Sequence, residues 1–187
     1  MKTVRVLAAL TTACLACASV AVMAQDKGKQ EAAKLAADSS AALQRLYAQV
    51  PLAKELGKTA EGILVFPTVT KAGLGIGGQY GEGTLFKKGT AAAYYKTTGA
   101  SFGLQAGGQK YGYAMFFMND QALTQLDAAS GFEVGVGPSI VVVDEGMGKS
   151  TTTKTLKDDV YAFIFGQKGL MAGLGVQGNK ISKITPK

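Results

Sequence analysis

The chain has 187 residues, with 20 Lys and Arg against 13 Asp and Glu and a formal net charge of +7, a length that favours one domain behind any targeting segment. It contains no histidine and no tryptophan, which removes Ser-His-Asp and Cys-His catalysis and most zinc sites together. Both cysteines, Cys14 and Cys17, fall near the start, so the rest of the chain has no disulfide framework and no thiol chemistry.

The opening residues MKTVR are basic and lead into an apolar tract over 6–24. This reads as a secretory signal cleaved after Val22-Met23-Ala24, so that the exported protein is 25–187, in the periplasm or at the outer membrane. The tract is longer than the usual apolar region of about 7 to 15 residues, which keeps retention as an anchor open. Acylation at Cys17 or Cys14 is a further option, although neither cysteine has the usual leucine three residues upstream and the residues after Cys17 stay apolar. Without Lys2 and Arg5 the basic count falls to 18 against 13 acidic residues, a net charge near +5. That is a mild bias toward anionic surfaces, for which simple solubility accounts equally well.

Residues 25–60 form the predicted helical segment. Leu35, Ala42, Leu43, Leu46 and Val50 fall at helical spacing over 26–50, an amphipathic helix with a break expected near Asp38-Ser39-Ser40, where capping residues cluster. Pro51 ends or restarts it, and a short helix from Leu52 is expected to stop at Gly57 as a carboxyl cap. Lys27, Lys29, Lys34 and Arg45 accompany the apolar stripe, as in a helix lying on an anionic membrane. A helix that only packs on a sheet would look similar, because the stripe is rich in alanine and Glu31 and Asp38 dilute the charge.

From residue 61 to 187 the chain reads as a glycine-rich β core: of 25 glycines, only Gly28 precedes Gly57. Strands are predicted at 63–66, 73–80, 83–87, 91–96, 100–107, 113–118, 132–136, 139–144, 150–155, 160–165, 171–177 and 180–184. One helix interrupts them, capped by Asn119 or Asp120, with Ala122, Leu123 and Leu126 on one face and an end near Gly131. The expected fold class is α+β: helices packed on a curled, glycine-rich antiparallel sheet or barrel-like sandwich. Alternate glycines at Gly73, Gly75 and Gly77 leave one sheet face nearly bare, inviting close approach of another layer or a flat ligand.

The segments EGILVFPTVTKAGLGIGGQYGEGTLF, GASFGLQAGGQKYGYAMFFMND, GFEVGVGPSIVVVDEG and LKDDVYAFIFGQKGLMAGLGVQGNKISKI occur in that order. Together they resemble the SYLF domain family of lipid-binding proteins over roughly 43–186. The resemblance implies lipid binding. Eukaryotic relatives are associated with phosphoinositides and actin regulation, and an export signal argues against carrying the cytoskeletal role over.

Other motifs are weaker. Two G-x-G-x-x-G windows, Gly73-Gly75-Gly78 and Gly173-Gly175-Gly178, lack the helix that a dinucleotide fold opens directly after the glycines. Gly148-Lys149-Ser150 lacks the first glycine of a P-loop, since Val143 stands in its place, and reads as a hairpin turn. The acidic pairs Asp144-Glu145 and Asp158-Asp159 point to opposite faces of a strand, so solvated charge explains them better than a cation. Tyr80, Tyr94, Tyr111 and Tyr113 could line an amphipathic ligand slot, or pack over bare glycine.

These readings converge on a non-enzymatic, exported domain of the cell envelope that binds anionic phospholipid or a membrane surface. Lys27, Lys29, Lys34 and Arg45 form the contact, with no cofactor, no metal and no nucleic-acid partner. The competing reading is a structural or interaction component that pairs its strand edges with an envelope protein or a second copy of itself.

Overall fold

A computed structural model of the chain describes residues 4–127, 132–133, 140–143, 158–169 and 179–186, with no side chains described at 4–25, 74–76, 101–106, 132–133, 140, 143 and 169. Helix α1 (Val4–Gln49) and helix α2 (Pro51–Thr59) precede a sheet built from β1 (Gly62–Lys87), β2 (Thr90–Phe117), β3 (Phe132–Glu133), β4 (Ile140–Val143), β5 (Val160–Gly169) and β6 (Lys180–Ile184). Between β2 and β3 lie α3 (Asp120–Thr124) and a single 3-10 turn, Gln125–Asp127. The class is α+β, and among the described residues the sheet curls without closing into a barrel: its pairing runs from β3 through β6, β2 and β5 to β4, with β1 alongside β2.

Three expectations about the helices change. First, α1 runs unbroken through Asp38-Ser39-Ser40. Ser39 is fully buried, on the same face as Leu35, Ala42, Leu43 and Leu46, so packing holds this turn helical where the side chains alone favour a cap. Second, α2 continues past Gly57 to Thr59 and ends at extended Ala60. The Tyr47 ring fills the space that a Cβ at Gly57 would occupy, so this glycine serves close packing rather than termination. Third, α3 is one short turn, capped as expected by Asn119, whose Oδ1 accepts from Ala122 N at 2.8 Å, and Leu126 lies in the following 3-10 turn.

The larger correction concerns the strands. Six of the predicted short strands merge into two long ones, paired antiparallel from Gly62↔Phe117 to Lys87↔Thr90. The turn between them is Lys88-Gly89, with φ of 50° and 77°, both positive as a type I′ hairpin requires. Pro67 and the glycines beyond it sit inside the ladder, at or near register shifts between Phe66 and Val69 and between Leu74 and Ile76. A ladder this long must twist and bend, and bulges and glycines are where it does so.

Bending returns the far arm of β1 onto its near arm. A Cβ at Gly81 would sit 2.9 Å from the Thr68 carbonyl oxygen and from Val69 Cγ2. At Gly83 it would collide with the Val65 carbonyl and the Phe66 ring. The hairpin thus makes a close approach on itself at Gly81 and Gly83. The sheet is also mixed rather than antiparallel, because β4 pairs parallel with β5, across a connection long enough for a crossover. The predicted strands at 150–155 and 171–177, and all but Phe132–Glu133 of the strand at 132–136, lie outside the described residues.

Strict alternation along β2 and β5 separates two cores. Tyr113, Met115, Phe117, Val160, Ala162 and Ile164 point inward with Leu64, Phe66, Leu85, Tyr95 and Ile181, and α3 contributes Ala122 and Leu123. Ala114, Phe116, Tyr161, Phe163 and Phe165 point outward, where α1 and α2 cover them with Leu43, Leu46, Val50, Leu52 and Leu56. Phe116 meets Phe163 edge to face at 5.2 Å, a favoured aromatic geometry.

Candidate functional site

Where α1 crosses the sheet, its fit changes along its length. No described residue from 26 to 38 is buried, whereas Ser39, Ala42, Leu43, Leu46 and Val50 all are. The poorly seated stretch, 26–38, rides over the far arm of the hairpin, and a row of four open cavities follows the helix.

The first, of ≈ 800 Å³, lies between Lys27, Lys29 and Ala32 of α1 and Ala92, Ala93, Tyr94 and Lys183 of the sheet. The second, of ≈ 460 Å³, brings Lys34 together with Glu31, Asp38, Tyr80, Glu82 and Lys96. The third, of ≈ 600 Å³, sets Arg45 with Asp38, Tyr80 and Glu82. The fourth, of ≈ 560 Å³, is lined by Arg45, Thr68, Lys110, Tyr111 and Lys168 among others. All four lie in the size range of ligand sites.

The expected site residues therefore share one helix but not one pocket. Lys27, Lys29, Lys34 and Arg45 are all exposed on α1, and each lines at least one of these cavities. The spacing from Lys27 to Lys34 and on to Arg45 returns to the same side at about 100° per residue, with Lys29 on the opposite edge of the apolar stripe. The tyrosines are dispersed. Tyr94 belongs to the first cavity, Tyr80 to the second and third, and Tyr111 to the fourth. Tyr113 belongs to none of them: it is 1% exposed and stacks on Phe66 at 5.9 Å in the inner core. A single slot of four tyrosines does not form.

Electrostatics distinguish the cavities. In the middle of the row the cations face carboxylates, and the Tyr80 hydroxyl donates to Glu82 Oε1 at 2.5 Å. That bond, more than burial, raises the Tyr80 pKa. At the first cavity Lys183 is already paired with Asp127, Nζ to Oδ1 at 2.9 Å. The fourth has cations and no carboxylate in its lining. There the Tyr111 hydroxyl donates to Gln79 Oε1 at 3.3 Å, and burial pushes its pKa up to about 12. The Tyr113 hydroxyl is buried without a hydrogen-bond partner among the described residues, and burial raises its pKa as well.

The remaining motifs resolve structurally where they are described. Gly73-Gly75-Gly78 lies in the middle of β1, which continues as strand to Lys87, so no helix amino terminus meets it. Asp159 Oδ1 accepts from Asn119 Nδ2 at 2.7 Å, tying α3 to the start of β5. Among the described residues no three potential metal ligands cluster. Gly173-Gly175-Gly178, Gly148-Lys149-Ser150 and Asp144-Glu145 lie outside the described residues.

Sequence reasoning missed the cations that the sheet contributes: Lys96, Lys110, Lys168 and Lys183. Charged residues interrupting apolar strands were the available signal, but only the pairing of β2 with β5 and β6 brings them under α1. Residues 98–185 match a family model named Ysc84 and described as Las17-binding protein actin regulator. No curated protein matches the chain.

Proposed function

We infer that this chain, whose residues 98–185 belong to the SYLF domain family, is a non-enzymatic lipid-binding protein of the cell envelope that meets anionic phospholipid through the 26–38 stretch of α1. The family is associated in general with lipid binding and with actin regulation. For an export signal at 1–24 the second of these has no partner to act on, and the first does.

One observation carries the reading. Over 26–38 the chain keeps a helix whose described side chains are all exposed or half-buried, while Lys27, Lys29 and Lys34 stand on it. A helix so lightly seated gains little from its own sheet, and an anionic surface supplies what the sheet does not. Attraction of basic residues to such a surface amounts to about 1 kcal/mol per cation within a Debye length. Alanine and leucine of the stripe then face the interface, as in helices that lie in the membrane plane.

The test is co-sedimentation of residues 25–187 with vesicles of phosphatidylglycerol and cardiolipin, against neutral phosphatidylcholine, at low and moderate salt. A variant carries Lys27, Lys29, Lys34 and Arg45 all changed to Glu. Binding that requires anionic lipid, weakens with salt and is lost in the variant is the expected result. No binding to any vesicle would sink this reading and leave an envelope interaction protein in its place.

A further inference from the structure

We propose that the cavity at the carboxyl end of α1 is a binding site for a phosphate group, held by Arg45, Lys110 and Lys168. The proposal deepens the lipid-binding reading by assigning a head-group site that sequence reasoning did not contain.

Three observations support it. Arg45, Lys110 and Lys168 come from α1, β2 and β5, line one cavity of ≈ 560 Å³, and make no ion pair among the described residues. Next, Lys110 and Lys168 are direct cross-strand partners, and like charges opposite each other in a ladder are unfavourable. Finally, a bulge creates that pairing. Continuing the register from Gly112↔Phe165 would set Gln167 opposite Lys110, but the shift between Lys110 and Gly112 brings Lys168 there instead. Gly166, with a φ of +61°, supplies the left-handed residue on which such a bulge turns.

The fold therefore departs from regular pairing and thereby puts two lysines side by side beneath an arginine. A bound anion turns that repulsion into attraction. Three converging cations suit a group with more than one negative charge and several acceptor oxygens, which describes a phosphate monoester better than a carboxylate. Either a lipid head group or free phosphate presents that chemistry.

The experiment uses the full chain and its Lys110→Gln/Lys168→Gln variant. Thermal unfolding is followed in inorganic phosphate and in chloride of matched ionic strength. Sedimentation is measured with phosphatidylcholine vesicles carrying phosphatidic acid or phosphatidylglycerol at matched surface charge. Because the two vesicle types are compared with each other, any contribution of the apolar tract at 6–24 cancels.

Phosphate is expected to raise the wild-type midpoint beyond the chloride control, and the variant to lose that response while being at least as stable without phosphate. Wild type should prefer phosphatidic acid, and loss of two charge-assisted contacts should weaken that binding by about tenfold or more. A phosphate response without vesicle binding would keep the site, with free phosphate as its ligand, and overturn the membrane reading. Vesicle binding with no phosphate response and no head-group preference would overturn the site and keep the membrane reading. A variant less stable than wild type without phosphate would also overturn it, because the lysines would then serve the carbonyls at the end of α1.

Discussion

Two stretches of α1, 26–38 and 39–49, lie along the same sheet and are held very differently. At its carboxyl end the helix packs Leu43 and Leu46, with Val50 just beyond it, into one cluster with Phe116, Phe163 and Phe165, and α2 folds against the same patch. Over 26–38 it crosses the far arm of the hairpin, where Tyr80, Glu82 and Lys96 line an open cavity. One stretch is core and the other is surface, although both read as the same amphipathic helix. The difference shows that an apolar stripe becomes core only where the sheet beneath it offers an apolar face.

The largest effect should come from testing that contrast directly. Leu46 has no exposed surface, so Leu46→Ala removes a side chain from a filled core and should cost about 2 to 5 kcal/mol. Leu35 is half-buried and lines two of the open cavities, so Leu35→Ala should cost less than about 1 kcal/mol. Urea unfolding of the two variants side by side checks the pair, and equal losses would show that the 26–38 stretch of the helix is core after all.

A smaller effect is expected where the hairpin folds back and the two ends join. Gly83 faces the Val65 carbonyl and the Phe66 ring too closely for any Cβ. Gly83→Ala must push the arms apart and should cost about 1 to 3 kcal/mol, as overpacking does. Gly89, in the hairpin turn, has nothing within reach of a Cβ but needs its positive φ, so Gly89→Ala tests strain alone. Comparable unfolding midpoints for Gly83→Ala and wild type would mean that the arms are not in contact in solution.

Much of this was legible in the sequence. The strand over 113–118 and the Asn119 cap were read directly, but Tyr113 to Phe117 are all apolar, so which of them face each core was not marked in the sequence. What could not be read was which glycines bend a strand and which end it. Gly81 and Gly83 have the composition of a turn but the role of a backbone contact between distant parts of β1, and local propensity carries no information about such a contact. The exposure of the α1 lysines was legible because a helix displays its faces in its own sequence. The meeting of Lys110 and Lys168 was not, because it depends on a one-residue bulge and joins positions 58 residues apart, and side-chain direction in a sheet reverses with each step of register.

The smallest effect concerns the pair that ties the open end to the inner core. Asp127 accepts from Lys183 Nζ at 2.9 Å and from the Tyr95 hydroxyl at 2.9 Å. The Lys183 bond is the main reason its pKa lies below the usual carboxylate value. A depressed pKa means that the folded state favours the charged form, so the pair's contribution is complete above the unfolded value of about 3.9 and is lost as pH falls through the folded one. Both side chains are more than half exposed, at 58% and 54%, so solvent screening limits the contribution to less than about 1 kcal/mol. Asp127→Asn keeps an acceptor for Tyr95 and removes the charge. Wild type should be slightly more stable than this variant at neutral pH, and the gap should close as the pH drops below about 4. A gap that persisted at low pH would assign the stabilisation to the Tyr95 hydrogen bond, and the open end would then be held by its buried tyrosine rather than by its surface charge.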